Sequence, residues 1–257
     1  MTEKDPRSIL RQLFEVAVAA ANPVSAVARN LPRKPKGRTV VIGAGKAAIP
    51  MAKAVEDSWD SPLEGFVVAP HGYSHGLKRI AVAHASHPVP DSGSLAAADR
   101  ALQLASTLGK DDLLIALISG GGSALMSKPA PGLAMEEKLG LIRALLKSGA
   151  NISELNCVRK QTSGVKGGRL GRAAGQAAIH TLVISDVPGD DPAVVASGPT
   201  VADHTTKADA IEILRRYRID VPTAVARWLE APAEDRALRS KAIDTRVVVS
   251  PRASFQA

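Results

Sequence analysis

Apolar residues fall at helical spacing directly after Asp5-Pro6, where Ile9, Leu10, Leu13, Val16, Val18 and Ala19 precede Asn22-Pro23. An aspartate N-cap, a proline in the first turn and an Asn-Pro stop predict an opening helix. The pattern then changes: Thr39-Val-Val-Ile-Gly is a short β-branched run feeding a glycine turn, and Ala47 to Trp59 returns to helical spacing. The strand-turn-helix unit recurs. Gly65-Phe-Val-Val-Ala, Arg79-Ile-Ala-Val-Ala, Asp112-Leu-Leu-Ile-Ala-Leu-Ile and Ile179-His-Thr-Leu-Val-Ile-Ser read as strands, with helices over Ser92 to Leu108 and Met135 to Lys147. Runs apolar on both faces imply strands covered on both sides. Their alternation with helices predicts an α/β fold, a three-layer Rossmann-like sandwich with a largely parallel sheet. Ligands of such sheets gather at the carboxyl ends of the strands, so chemistry is sought there.

Composition narrows the classes. With 257 residues, 45% of them apolar, the chain can bury a large core, and neither disorder nor a repeat array fits. Only 3% of residues are aromatic, which leaves few faces for stacking bases. A net charge of +8 favours anionic partners but does not choose among them. Part of that excess is dispersed surface charge, as in Arg33, Lys34, Lys36 and Arg38 and again in Arg236, Arg239 and Lys241. The lone Cys157 excludes a disulfide framework and a cysteine zinc site, which favours a reducing compartment. With no signal-like start and no apolar run able to span a bilayer, the chain reads as cytoplasmic, without membrane or nucleic-acid partners.

Four segments carry candidate chemistry. Gly43-Ala-Gly45-Lys46-Ala brings two glycines and a lysine to a helix entry, the chemistry of a phosphate cradle. The same turn satisfies the dinucleotide fingerprint, but the second strand ends Val67-Val-Ala-Pro-His without the acid that a ribose requires. Ser119-Gly120-Gly121-Gly122-Ser123 closes the most apolar strand, and three successive glycines mark close approach of a ligand. It does not fit the nucleophile elbow of a serine hydrolase. Asp186, Asp190 and Asp191 stand within six residues at the end of the last strong strand and would repel one another without a hard cation such as magnesium. Arg159, Lys160, Lys166, Gly167, Gly168 and Arg169 form a basic, glycine-containing segment suited to carboxylate or phosphate oxygens. His71, His75, His84 and His87 have no metal-ligand spacing and read as turn residues, with His87-Pro-Val-Pro-Asp91 at the edge of the cleft and Asp91 and Ser92 capping the next helix.

Taken in order, Gly43-Ala-Gly-Lys-Ala, His87-Pro-Val-Pro-Asp, Ile118-Ser-Gly-Gly-Gly-Ser-Ala, Asn156-x-x-Arg-Lys, Lys166-Gly-Gly-Arg-Leu, Ser185-Asp-Val-Pro-Gly-Asp-Asp and Ser197-Gly-Pro-Thr resemble the bacterial glycerate 2-kinase family, whose members often carry an old label of hydroxypyruvate reductase. The resemblance runs from about residue 9 to the end. It implies ATP- and magnesium-dependent phosphorylation of D-glycerate at its 2-hydroxyl, in glyoxylate, tartrate or serine-cycle metabolism, by an enzyme of two α/β domains with its active site between them. The family's catalytic lysine falls on Lys46, and its arginine in the second half has no counterpart in this chain. The chain is therefore expected to be the first part of a two-domain enzyme, with little activity alone. Residues 1–244 form its amino-terminal domain, and 245–257, with Val247-Val-Val-Ser, start a strand and helix leading into a second half.

Expected roles follow. Lys46 neutralises charge on the transferring phosphoryl group, and Asp186 and Asp190 hold magnesium, Asp190 also being the candidate proton acceptor. Gly43, Gly45, Gly120, Gly121, Gly122, Lys166, Gly167 and Gly168 cradle phosphates, while Arg159, Ser119 and Ser123 contact glycerate. The competing readings are an NAD(P)H-dependent hydroxypyruvate reductase and a non-catalytic phosphate-ligand module. The expected partner is a small molecule, and the sequence leaves room for a homodimer.

Overall fold

The computed structural model describes residues 5–74, 76–232, 238, 240 and 242–257. His75, Arg236, Arg239 and Lys241 lie outside the described residues. Six strands, β1 (Thr39–Ala44), β2 (Glu64–Pro70), β3 (Ala81–Ala85), β4 (Leu113–Ser119), β5 (Ala178–Ile184) and β6 (Ile243–Val249), form one sheet in the order β3-β2-β1-β4-β5-β6. Every pairing is parallel. The order runs outward from β1 in one direction and from β4 in the other, so the topological switch point lies between them, with Gly43 opposite Leu117 and Ala44 opposite Ile118. The boundary expected after residue 244 falls inside β6, which is hydrogen-bonded to β5 and belongs to the same sheet.

Both faces of the sheet are covered, which is why its strands read as continuous apolar runs. Val40, Ile42, Phe66, Val68 and Leu114 pack with Ala97, Ala98 and Ala101 of α4 (Ser92–Ser106) and Leu170 of α8 (Arg169–Ala173). On the opposite face Val41, Val67, Ile115 and Leu117 meet Met51, Ala52 and Val55 of α3 (Ala48–Ser58) and Val27 of α2 (Pro23–Ala28). The small residues of α4 let that helix lie close to the strands. Asp91 caps it through a reciprocal box with Ser94, as the sequence pattern indicates.

Four helices build a satellite core of their own: α6 (Met135–Lys147), α7 (Ile152–Gln161), α9 (Lys207–Arg216) and α10 (Thr223–Glu230), packed through Leu141, Leu145, Leu155, Ile213, Val225 and Leu229. Short α5 (Gly122–Leu125) follows β4. The opening helix α1 (Pro6–Ala20) lies beside α11 (Pro251–Gln256). None of the helices among the described residues is long and apolar enough to cross a membrane.

Candidate active site

The turns after β1 and β4 interlock at the switch point. Lys46 N donates to Gly120 O at 2.9 Å, Gly45 N to Val68 O at 3.2 Å, and Ala47 N to Ser119 Oγ at 3.1 Å. A Cβ on Gly45, whose φ is +138°, would stand 2.1 Å from Ser119 Oγ, and one on Gly43 would stand 2.7 Å from Val67 Cγ1. These glycines are therefore required by close packing of the two turns. Gly43 and Gly45 do not form the expected cradle, because the amides of the turn are engaged within the fold. Ser119, expected to contact glycerate, is buried, and its hydroxyl accepts from Ala47 N and so ties the two turns together.

The first turn of α3 also lacks donors. Ala48 N is bonded to Gly45 O and Met51 N to Ala47 O, while Pro50 has no N–H, which leaves Ile49 N. A dinucleotide pyrophosphate needs several amides at this helix end. The fingerprint glycines thus stand without the anion site that gives the fingerprint its meaning.

The third candidate loop differs. Among the described residues, the amides of Gly121, Gly122 and Ser123 donate to no acceptor in the chain. Gly121 (φ +85°) passes under His87, and an added Cβ would lie 3.1 Å from His87 Cδ2 and 3.4 Å from Lys46 Cγ. Lys46 is exposed and makes no ion pair among the described residues. Partial desolvation and the Lys46 ammonium hold the His87 imidazole below its ordinary pKa, against the opposing pull of Asp186. His87 is therefore neutral near pH 7. Ser123 Oγ shares a hydrogen bond of 2.9 Å with Ser197 Oγ.

The basic segment is placed otherwise than expected. Gly167 N and Gly168 N donate to Ser197 O and Gly198 O, so neither amide is offered to a phosphate. Their left-handed turn docks on another, in which Ala196 and Ser197 both have positive φ (50° and 60°). Two non-glycine residues held there cost on the order of 1–3 kcal/mol each, and such strain persists only where packing imposes it. Lys166 is buried, and its Nζ donates to Met126 O at 2.8 Å.

Lys166 does reach a cavity of ≈ 370 Å³ bordered by the His87–Pro90 turn, Gly121, Ser123, α6 and α7. Lys138, Arg143 and Arg159 line it too, and no aspartate or glutamate does. None of these four cations has an ion-pair partner among the described residues. Burial, then the Arg159 and Arg169 charges, lower the Lys138 pKa to about 7. Burial with Lys138 and Arg159 drives Lys166 well below the usual lysine value. Basic side chains gathered without an acidic neighbour, three of them half-buried or buried, suit an anion that would restore their charge.

The three aspartates have different surroundings. Asp186 is exposed with its carboxylate against Gly120, where an added Cβ would meet Oδ2 at 1.9 Å. Asp190 has φ 53°, and its Oδ1 is buried without a hydrogen-bond partner. Asp191 accepts from Ala193 N at 2.8 Å and caps its own turn. The described residues contain no cluster of three or more acidic, histidine or cysteine side chains able to hold a metal. The expected three-carboxylate cluster is therefore not assembled. The exposed Asp186 carboxylate and the orphaned Asp190 oxygen are each hard donors of the kind that magnesium takes.

Residues 9–230 match the family described as "Domain of unknown function (DUF4147)". The chain belongs to that family. Among relatives of this DUF4147 chain, an Agrobacterium vitis protein named "Putative hydroxypyruvate reductase" is 48% identical over 98% of the chain and 58% of its own length. A Thermotoga maritima "D-glycerate 2-kinase" is 39% identical over 87% of the chain and 55% of its own length. A Pyrococcus horikoshii "Glycerate 2-kinase" is 40% identical over 95% and 57%. The crystal structure of a Thermotoga maritima glycerate kinase superposes with a TM-score of 0.85 at 34% identity, covering 98% of this chain and 61% of that one. The chain thus spans somewhat over half the length of the relatives it matches.

Lys138 and Arg143 were not legible as site residues. Glu136-Glu137-Lys138 reads as a solvated helix start, and only the docking of α6 beside α7 buries the lysine.

Proposed function

We propose that the chain carries the phosphoryl-transfer site of a glycerate 2-kinase, which moves the γ-phosphoryl of ATP to the 2-hydroxyl of D-glycerate. The carrying observation is the row of acceptor-free amides at Gly121, Gly122 and Ser123, set beneath Lys46 and neutral His87 and beside a cation-lined cavity. Preformed donors of this kind stabilise charge spreading over phosphoryl oxygens without reorganising. The names of the relatives support the same reading.

In the reaction the glycerate 2-oxygen bonds to the γ-phosphorus while the bond from that phosphorus to the bridging oxygen breaks, releasing ADP. The amides and Lys46 hold the equatorial oxygens. The hydroxyl proton passes to His87, whose imidazole is uncharged beside Lys46; this role moves from Asp190, which together with Asp186 would hold magnesium. That ion supplies positive charge to the nucleotide phosphates when bound. Arg159 supplies charge to one of the two anionic substrates. Buried Cys157, pushed up to about 11 chiefly by burial, stays a thiol and takes no part.

Purified protein given Mg-ATP and D-glycerate is expected to form ADP, slowly where the 257 residues are assayed alone, and with NADH and hydroxypyruvate to leave NADH unoxidised. Lys46→Ala is expected to lower ADP formation at least about 100-fold, with an unchanged melting temperature because the side chain is exposed. NADH-dependent reduction of hydroxypyruvate would replace the kinase by the reductase.

A further inference from the structure

We infer that the cavity between α6 and the His87–Pro90 turn is the nucleotide site, with the polyphosphate over Lys138, Arg159 and Lys166 and the base between Val89 and Leu146. This rests on the kinase reading and decides which of its two anionic substrates the cavity takes.

Charge separates the candidates. D-glycerate brings a single carboxylate, whereas four basic side chains and no acidic one line the cavity. A nucleoside polyphosphate brings several negative charges and can satisfy them together. Arg159 is thereby moved from the glycerate carboxylate to the phosphates.

The walls point the same way. Pro88, Val89 and Pro90 line one side of the cavity and Leu139, Ile142 and Leu146 the other. Val89 is 59% exposed and Leu146 56%, so both stand at the mouth, while Lys138 and Lys166 are buried at the floor. Glycerate, with a polar group on every carbon, has no surface for an aliphatic slot, whereas a nucleobase has two apolar faces. The volume of ≈ 370 Å³ is also of the size that holds a ligand larger than a triose, where such sites run from about 300 to 1,000 Å³. Gly121 and Ser123 line the cavity and carry two of the acceptor-free amides, so phosphates on its floor lie beside the transfer site.

The test uses neutral substitutions at the exposed mouth, Val89→Asn and Leu146→Asn, with calorimetric titration of Mg-ADP, inorganic tripolyphosphate and D-glycerate. Each variant is expected to weaken Mg-ADP at least about 5-fold, as lost apolar contact requires, while tripolyphosphate and D-glycerate bind as to the unaltered protein. Weakened D-glycerate binding with Mg-ADP unchanged would hand the cavity to the triose acid and leave the kinase intact. Variants that bind all three ligands normally would also overturn the inference. Failure of the unaltered protein to bind Mg-ADP or tripolyphosphate, with NADH bound instead, would remove the kinase reading itself.

Discussion

At Gly120 a single hydrogen decides where a carboxylate can lie. The Asp186 side chain occupies the space a methyl group would fill, 1.9 Å from the position of an added Cβ. Asp186 is exposed and can swing away, so Gly120→Ala is expected to leave the melting temperature within a few degrees and to raise the magnesium concentration for half-maximal ADP formation. An unaltered magnesium requirement would remove Asp186 from the metal site. Gly45→Ala has a different outcome, because the added methyl meets Ser119 Oγ at 2.1 Å and Ser119 O at 2.6 Å, at φ +138°. Backbone cannot yield as a surface carboxylate can. We expect a loss of about 1–3 kcal/mol in chemical denaturation, with ADP formation falling as Lys46 loses its hold on the Gly120 carbonyl. The pair separates a glycine that admits a ligand group from one that lets two turns touch, a distinction glycine-rich sequence does not display.

Among the elements, α6 joins the satellite core to the cavity wall: Leu141 and Leu145 face inward while Lys138, Ile142 and Leu146 line the site. Leu145→Ala is expected to cost about 2–5 kcal/mol of stability and to weaken Mg-ADP binding while the sheet keeps its far-ultraviolet signature. Equal Mg-ADP affinity in the folded variant would show that the wall does not depend on that core. The strands were legible because a sheet covered on both faces demands unbroken apolar runs, and Asp5 and Asp91 were legible as caps because capping is local. Helices α9 and α10 are not legible in the sequence, although Thr206 and Asp209 form a capping box, because their amphipathic pattern follows a long loop without a strand to frame it. The fate of an amide is less local still. Gly121 and Gly168 look alike in sequence, and only the docking of residues 196–198 shows that Gly168 already has an acceptor.

The arrangement of charge in the whole molecule gives a stability profile that can be read against pH. An unfolded lysine keeps its proton to about pH 10.4, whereas folded Lys138 releases it at about 7. Between those values the unfolded chain binds more protons, so stability rises with pH, and buried Lys166 acts in the same direction. Other groups change elsewhere. The lowered His87 and His180 values act below pH 6.5, and the depressed carboxylates of Glu56, Asp112 and Asp244 act in the acid range. The raised Cys157 value subtracts stability only above about pH 9. The interval from pH 7 to 8.5 therefore isolates Lys138 and Lys166, which burial and the neighbouring Arg159 of α7 act on together, with Arg169 of α8 acting on Lys138 as well. The free protein is expected to melt at a higher temperature at pH 8.5 than at pH 7. Bound tripolyphosphate restores a counter-charge and raises the proton affinity of both lysines, so ligand-induced stabilisation should be larger at pH 7 than at pH 8.5, with proton uptake on binding visible in buffers of different ionisation enthalpy. A stability curve flat across this interval would mean that Lys138 keeps its proton without an anion, and the cavity would then lose its claim to be a site waiting for negative charge.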